Sequence, residues 1–222
     1  MASVSNHNRI IHQAAKQYLA RKGLFQKGAS RVWIDDNGWF LILVEFQPSG
    51  GQKGTYLNVG IHYLWGENEE LSFDYGYREG AFVSYEDDDE RFLVQMQVLA
   101  ESAFKKVVDY RRFQNLKYAE KQILNHRKSD TSLHQIYDKM MICGLCGDKK
   151  GKKYFSQLCD ALQSAQFDWE KAYHKELTEK IAPIIDDSQK LRAYILRKIE
   201  TRRMLLRAKS GMHMLQESWQ TS

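Results

Sequence analysis

The sequence predicts an α+β fold: an antiparallel sheet of four or five strands, packed with an N-terminal helix and a long following helix, plus an all-helical C-terminal extension. Three observations carry this. The hydrophobic period switches from helical to alternating after Gly23 and back to helical at Asp88. Asn37-Gly38, between two apolar runs, is a hairpin dipeptide. From Ala81 to Cys143 the chain has neither Gly nor Pro, so nothing in that stretch forces a helix to stop.

Taken in order, Ile10, Ile11, Ala14, Ala15, Tyr18 and Leu19 recur at helical spacing, Ser5 or Asn6 can cap that helix, and Gly23 stands where a left-handed stop is wanted. Val32 and Ile34 against Trp33 begin a strand, and Asn37-Gly38 supplies two positive φ angles for the turn. Trp39 to Phe46 is almost wholly apolar, as for a central strand covered on both faces. Leu57, Val59, Ile61 and Tyr63 alternate with Tyr56, Asn58, Gly60 and His62; Leu71, Phe73, Tyr75 and Tyr77 alternate again, and Phe82 to Tyr85 adds an edge.

From Asp88 on, Phe92, Leu93, Met96, Leu99, Ala100, Ala103, Phe104, Val107 and Val108 mark one helix side, with a bend near Arg112 and helix continuing to about His126. Ser129-Asp130-Thr131-Ser132 is a capping cluster ahead of a helix from Leu133 to Ile142, stopped by Gly144 and Gly147. One long helix is expected through Phe155, Leu158, Leu162, Ala165, Trp169 and Ala172; Pro183 ends it, and Asp186-Asp187-Ser188 caps a last helix from Gln189 to about Lys209. The domain division follows as residues 1–128, an α+β domain, and 129–222, a helical extension.

Composition narrows the class. A 222-residue chain buries a large core without staples, and three cysteines are too few and too odd for a disulfide framework, which suits a reducing compartment. Met1 to Asn8 lacks an apolar signal core and no run approaches 18 apolar residues, so the expectation is a cytoplasmic protein without a membrane segment. The net charge of +5 is unevenly spread: residues 1–110 hold 11 Lys and Arg against 15 Asp and Glu, and residues 111–222 hold 22 against 13. The basic half either meets an anionic partner or complements the acidic half.

Gly23-Leu24-Phe25-Gln26-Lys27-Gly28, Trp33, Phe46-Gln47-Pro48-Ser49 and Asn58-Val59-Gly60-Ile61 resemble the short motifs of a family of bacterial domains of unknown function, over roughly residues 6 to 115. Glu45 stands where that family usually has Asn, and Leu24 where it has Phe. The resemblance implies a fold and carries no catalytic residue.

Several patterns bear on chemistry. Cys143-Gly144-Leu145-Cys146-Gly147 has the spacing of half a zinc site, with Cys159 as a third ligand and His126, His134 or His174 as a fourth; helix-stopping glycines and a small apolar Cys159 explain the same residues. A redox pair would sit at a helix N-terminus, whereas this one follows a helix. Gly147 to Gly151, followed by Tyr154-Phe155, resembles the turn of one tetratricopeptide hairpin, a helical protein-binding surface, although no repeat follows. Asp35 or Asp36 ahead of Glu45 and Gln47 mimics the carboxylate pair of a metal-dependent nuclease, against an Asx-turn role for Asp36 and the lack of the usual lysine.

His62 and Asn58, beside Gly60, form a pocket candidate, with a solvated strand face as the alternative. Asp87 to Glu90 complement a helix dipole. Lys198, Arg202, Arg203, Arg207 and Lys209 flank an apolar seam on the last helix, either as a solvated rim or as a partner-binding surface. No phosphate-cradling loop is present, and no cofactor is expected. The expected function is that of a non-catalytic protein-interaction module with an unknown, acidic protein partner. The alternatives are a nuclease-like enzyme using Asp35, Glu45 and Gln47, or a sequence-nonspecific nucleic-acid binder using the basic helix.

Overall fold

The alternating segments form one five-stranded antiparallel sheet in simple sequence order in a computed structural model that describes residues 6–66, 70–126, 132–163, 165–209 and 212–215. The strands are β1 (Phe25–Gln26), β2 (Val32–Asp36), β3 (Phe40–Gln47), β4 (Gly54–Tyr63) and β5 (Tyr75–Ser84). Phe25 and Gln26, which periodicity does not mark as a strand, pair with Ile34 and Trp33. The β2–β3 turn corrects a second expectation: only Gly38 has positive φ (+81°), at the first central position of a two-residue turn closed by Asn37 and Phe40. Asn37 instead donates through Nδ2 to Asp35, and Asp36 Oδ1 accepts from the Gly38 N–H at 3.1 Å.

Strand β5 is one continuous element and begins only at Tyr75, later than alternation through Leu71 and Phe73 implies. Those residues lie along the sheet because Gly60 has no side chain: a Cβ there would stand 2.7 Å from Phe73 Cδ1 and 2.7 Å from the Tyr75 carbonyl. The close approach foreseen at Gly60 is made by the protein's own chain.

Register assigns the two faces. Val32 pairs with Glu45, Leu41 with His62, Glu45 with Asn58 and Asn58 with Arg78, so these residues share one face. Asp35, Ile42, Ile61 and Tyr75 share the other. The second face is covered by α1 (Asn6–Leu19) and α2 (Asp89–Tyr110), which pack on each other and, through α2, on β3 and β4. Ile10, Ile11, Ala14, Ala15 and Leu19 of α1 and Phe92, Met96, Ala100, Ala103 and Val107 of α2 are buried, as periodicity predicts. Val108 is not: it points outward. Asp88 caps α2, accepting from the Arg91 N–H, and Asp89 and Glu90 occupy its first turn.

The bend near Arg112 is a 3₁₀ turn, Arg111–Gln114, after which Asn115 caps α3 (Leu116–Asn125). Helix α4 (Leu133–Cys146) runs through Gly144 and stops at Gly147, whose φ is +73°. Gly144 is a packing glycine, since a Cβ there would lie 2.6 Å from Ile195 Cδ1 and 2.9 Å from Leu191 Cδ2. Of the capping cluster ahead of α4, Ser129 to Thr131 fall outside the described residues.

The single long helix expected next is two, α5 (Gly151–Leu162) and α6 (Asp168–Glu176). Glu170 explains the restart: its Oε2 accepts the N–H groups of Gln166 and Phe167, closing a cap around an extended Phe167. A π turn (Leu177–Ile181) and a 3₁₀ turn containing Pro183 follow; Asp187 then caps α7 (Ser188–Ala208) by accepting from the Gln189 and Lys190 N–H groups.

The chain divides into two compact units, 1–112 with 202–222, and 113–201. This differs from a single boundary at residue 128. The first break falls at the bend near Arg112, which sequence marks only as a bend within a continuing helix, and just past the second break Arg203 is ion-paired to Asp36. Among the described residues no helix is long and apolar enough to cross a membrane.

Candidate functional site

The open half of the sheet's first face carries a polar array built by register alone. Asn58, fully buried at the centre of β4, donates through Nδ2 to Glu45 Oε2 at 2.8 Å and to Gln47 Oε1 at 3.0 Å. Arg78, opposite Asn58 on β5, donates through Nη2 to Gln47 Oε1 at 2.6 Å and through Nε to Asn58 Oδ1 at 3.4 Å. Its guanidinium carbon lies 3.8 Å from the centroid of Tyr56, which in turn meets Phe82 at 4.8 Å. A carboxylate and a guanidinium are thus held on either side of a buried amide.

Asp35 does not join Glu45 and Gln47. It lies on the helix-covered face, where Arg111 grips it with Nη2 at 2.7 Å and Nε at 3.0 Å. Successive strand residues face opposite ways, so a carboxylate paired with Ile42 cannot share a metal with one paired with Val32. The nuclease constellation is therefore not assembled. Asp36 faces the other way and is clamped by Arg203, Nη1 to Oδ1 and Nη2 to Oδ2 both at 2.7 Å, while Nη1 also donates to the Gly38 carbonyl at 2.8 Å.

His62 is buried, not on a solvated face. Its Nδ1 lies 3.1 Å from Ser72 Oγ and 3.3 Å from Asp74 Oδ2, and Ser72 Oγ donates to Asp74 Oδ1 at 2.7 Å. The residue types match a hydrolytic triad and the geometry does not: Ser and Asp share one ring nitrogen, the hydroxyl proton is committed to the carboxylate, and Nε2 is buried without a hydrogen bond among the described residues. His62 and Asn58 belong to separate networks.

Cys143 and Cys146 lie on α4 and Cys159 on α5, all as free thiols. Burial, with Glu120 and Asp148 adding to it, pushes the Cys143 thiol up to about 12. Burial and Glu120 do the same for Cys146, also to about 12, and burial and Asp160 raise Cys159. Among the described residues no three His, Cys, Asp or Glu side chains gather as a metal site. At pH 8 a thiol of pKa about 12 is roughly one part in ten thousand thiolate, so iodoacetamide should leave Cys143 unmodified in the folded protein and label it once the chain is denatured. Rapid native labelling, or stoichiometric zinc in the purified protein, would contradict this environment.

Most of the five basic residues singled out on the last helix are committed. Arg203 is 1% exposed and bound to Asp36, Arg202 is buried, and Lys198 donates to Glu176 Oε1 at 2.6 Å. Arg207 is half-buried, and of the five only Lys209 is exposed. Arg202 and Arg203 accordingly cannot form the solvated basic stripe expected from helical spacing.

Arg78 and the buried Glu176 were the residues sequence reasoning passed over. For Arg78 a signal existed, since alternation places it on the face of Asn58; for Glu176 none did, because its partners lie 39, 18 and 22 residues away. No family model, curated protein or solved structure matches this chain.

Proposed function

We propose that the chain is a non-catalytic protein-interaction module that presents the open half of its sheet, centred on Arg78, to an acidic group of a protein partner. The observation that carries this reading is the Arg78 guanidinium, exposed to solvent yet fixed by Gln47, Asn58 and the Tyr56 ring. Arg and Tyr are the residue types that dominate binding energy, and a side chain held before binding has less rotamer freedom to lose. Rigid strands position the array better than loops would. Three free thiols and no disulfide framework fit a reducing compartment, and cytoplasmic location is part of the proposal, as is kinship of residues 6 to 115 with uncharacterised bacterial domains.

Quantitative affinity purification of the tagged full-length protein tests it, comparing wild type with Arg78→Glu and with Lys121→Ala as an exposed control. A partner retained by wild type and control should be depleted in Arg78→Glu by about thirtyfold, the effect of losing a ~2 kcal/mol anchor. Identical partner sets in all three would remove this surface from consideration. Mg²⁺-dependent cleavage of DNA or RNA that disappears in Glu45→Ala would replace the reading with an enzymatic one.

A further inference from the structure

The outward face of α2 carries an arrangement that the sheet surface does not use. Val94, Val98 and Val108 are 59%, 63% and 49% exposed, and with Glu101 and Lys105 they form one stripe at spacings of four, three, four and three residues. That spacing is the seam of two helices packed nearly along each other. β-branched residues are weak helix formers, so three of them on the solvent side of a helix gain nothing from local propensity. At the middle of the stripe Lys105 Nζ meets Glu101 Oε1 at 2.9 Å.

We propose that this face is a self-association surface on which a second copy of the chain docks antiparallel through α2. The charges choose the occupant and the orientation. A twofold axis at position 103 sets Val98 against the partner's Val108 and, in the same register, Glu101 against the partner's Lys105. A parallel pairing would oppose Glu101 to Glu101 and Lys105 to Lys105, which repel. Polar residues within an apolar seam set register and orientation at some cost in strength. Val94 then meets the stem of the partner's Arg112, whose charged end already bonds Asp109 at 3.2 Å. An anionic membrane is a poor occupant, because Glu90, Glu101 and Asp109 surround the valines on the exposed side and the stripe holds no Trp or Phe. The seam is short, so the dimer is a weak, concentration-dependent one at the low end of interface size.

Sedimentation velocity of the full-length protein over a wide concentration range tests the proposal, with thermal melts checking that each variant stays folded; every substituted position is exposed. Wild type should shift from monomer to dimer as concentration rises. Val98→Asp should abolish the shift, and Glu101→Lys alone or Lys105→Glu alone should weaken association by about tenfold or more. The double variant Glu101→Lys/Lys105→Glu should recover it, since the swap restores attraction only in the antiparallel register. The proposal fails if wild type stays monomeric throughout, if a dimer ignores Val98→Asp, if the double variant shows no recovery, or if a different protein proves to occupy the stripe.

Discussion

Arg203→Ala should destabilise the sheet-containing unit by about 3 to 5 kcal/mol, the cost of leaving a buried carboxylate without its partner. Both sides of the pair are out of water, with side-chain exposures of 1% for Arg203 and 6% for Asp36. The contact is bidentate, and the guanidinium also donates to the Gly38 carbonyl, so one truncation takes donors from two acceptors at the β2–β3 turn. Urea unfolding followed by the fluorescence of Trp33, Trp39 and Trp65 measures the loss. Asp36→Ala should cost a similar amount. The apolar double variant Asp36→Leu/Arg203→Met should cost much less than the two singles together, because it removes both charges and leaves neither buried alone. Lys209→Ala, exposed on the same helix end, should stay within about 0.5 kcal/mol of wild type. A loss below about 1 kcal/mol for Arg203→Ala would mean that Asp36 finds water or another donor and that the clamp is not what holds this segment.

The fate of Arg203 illustrates which information sequence carries and which it lacks. Alternation and helical spacing report the face on which a residue lies, and they predicted the sheet, the buried sides of α1 and α2, and the stop at Gly23. They do not report what covers that face. Arg202 and Arg203 read as part of a solvated stripe because eight cations on one helix most simply face water; the neutralising Asp36 lies 167 residues away and no periodicity connects them. Asp35 and Glu45 looked like partners because they flank one hairpin, yet any two-residue turn between the strands sets them on opposite faces. A Gly38-Trp39 turn pairs Asp36 with Leu41, which fixes Asp35 opposite Ile42 and Glu45 opposite Val32. Gly144 looked like a helix stop, but the same lack of a side chain also admits a neighbouring helix, and only packing decides between the two. The polar array was half legible: Asn58, Glu45 and Gln47 were singled out for other reasons, and alternation puts Arg78 on their face, but only the pairing of β4 with β5 sets it opposite Asn58.

Glu176 provides the other large expected effect, in the unit spanning residues 113–201. Its Oε1 accepts from Tyr137 Oη at 3.0 Å, Tyr194 Oη at 2.7 Å and Lys198 Nζ at 2.6 Å, and its side chain is 3% exposed. Burial by itself would raise this carboxyl, but the Lys198 charge and the hydrogen bonds from Lys198, Tyr194 and Tyr137 outweigh it and hold Glu176 below the usual carboxylate range. Burial and the neighbouring carboxylate push the Tyr137 phenol well upward, so it remains a donor at all ordinary pH values. A folded-state pKa below the unfolded one means that the folded protein binds the proton less tightly. The stabilisation is therefore complete above about pH 5 and is lost as pH falls through the folded-state value. Glu176→Ala should cost about 3 to 5 kcal/mol at pH 7, since it leaves an ammonium that is largely out of water and two phenols without their acceptor. Glu176→Gln keeps the shape and an acceptor oxygen, so it should cost less at pH 7 and lose less further stability on acidification. Asp148 and Asp187 are also held low and will steepen the acid limb in every variant, so the informative quantity is the difference between wild type and Glu176→Gln as pH drops from 7 to 4. That difference should shrink steadily, because acid removes from wild type what the substitution has already removed. Parallel stability curves over this range would show that Glu176 binds its proton equally well in the folded and the unfolded chain, and a difference that grows on acidification would show that it keeps its proton when folded.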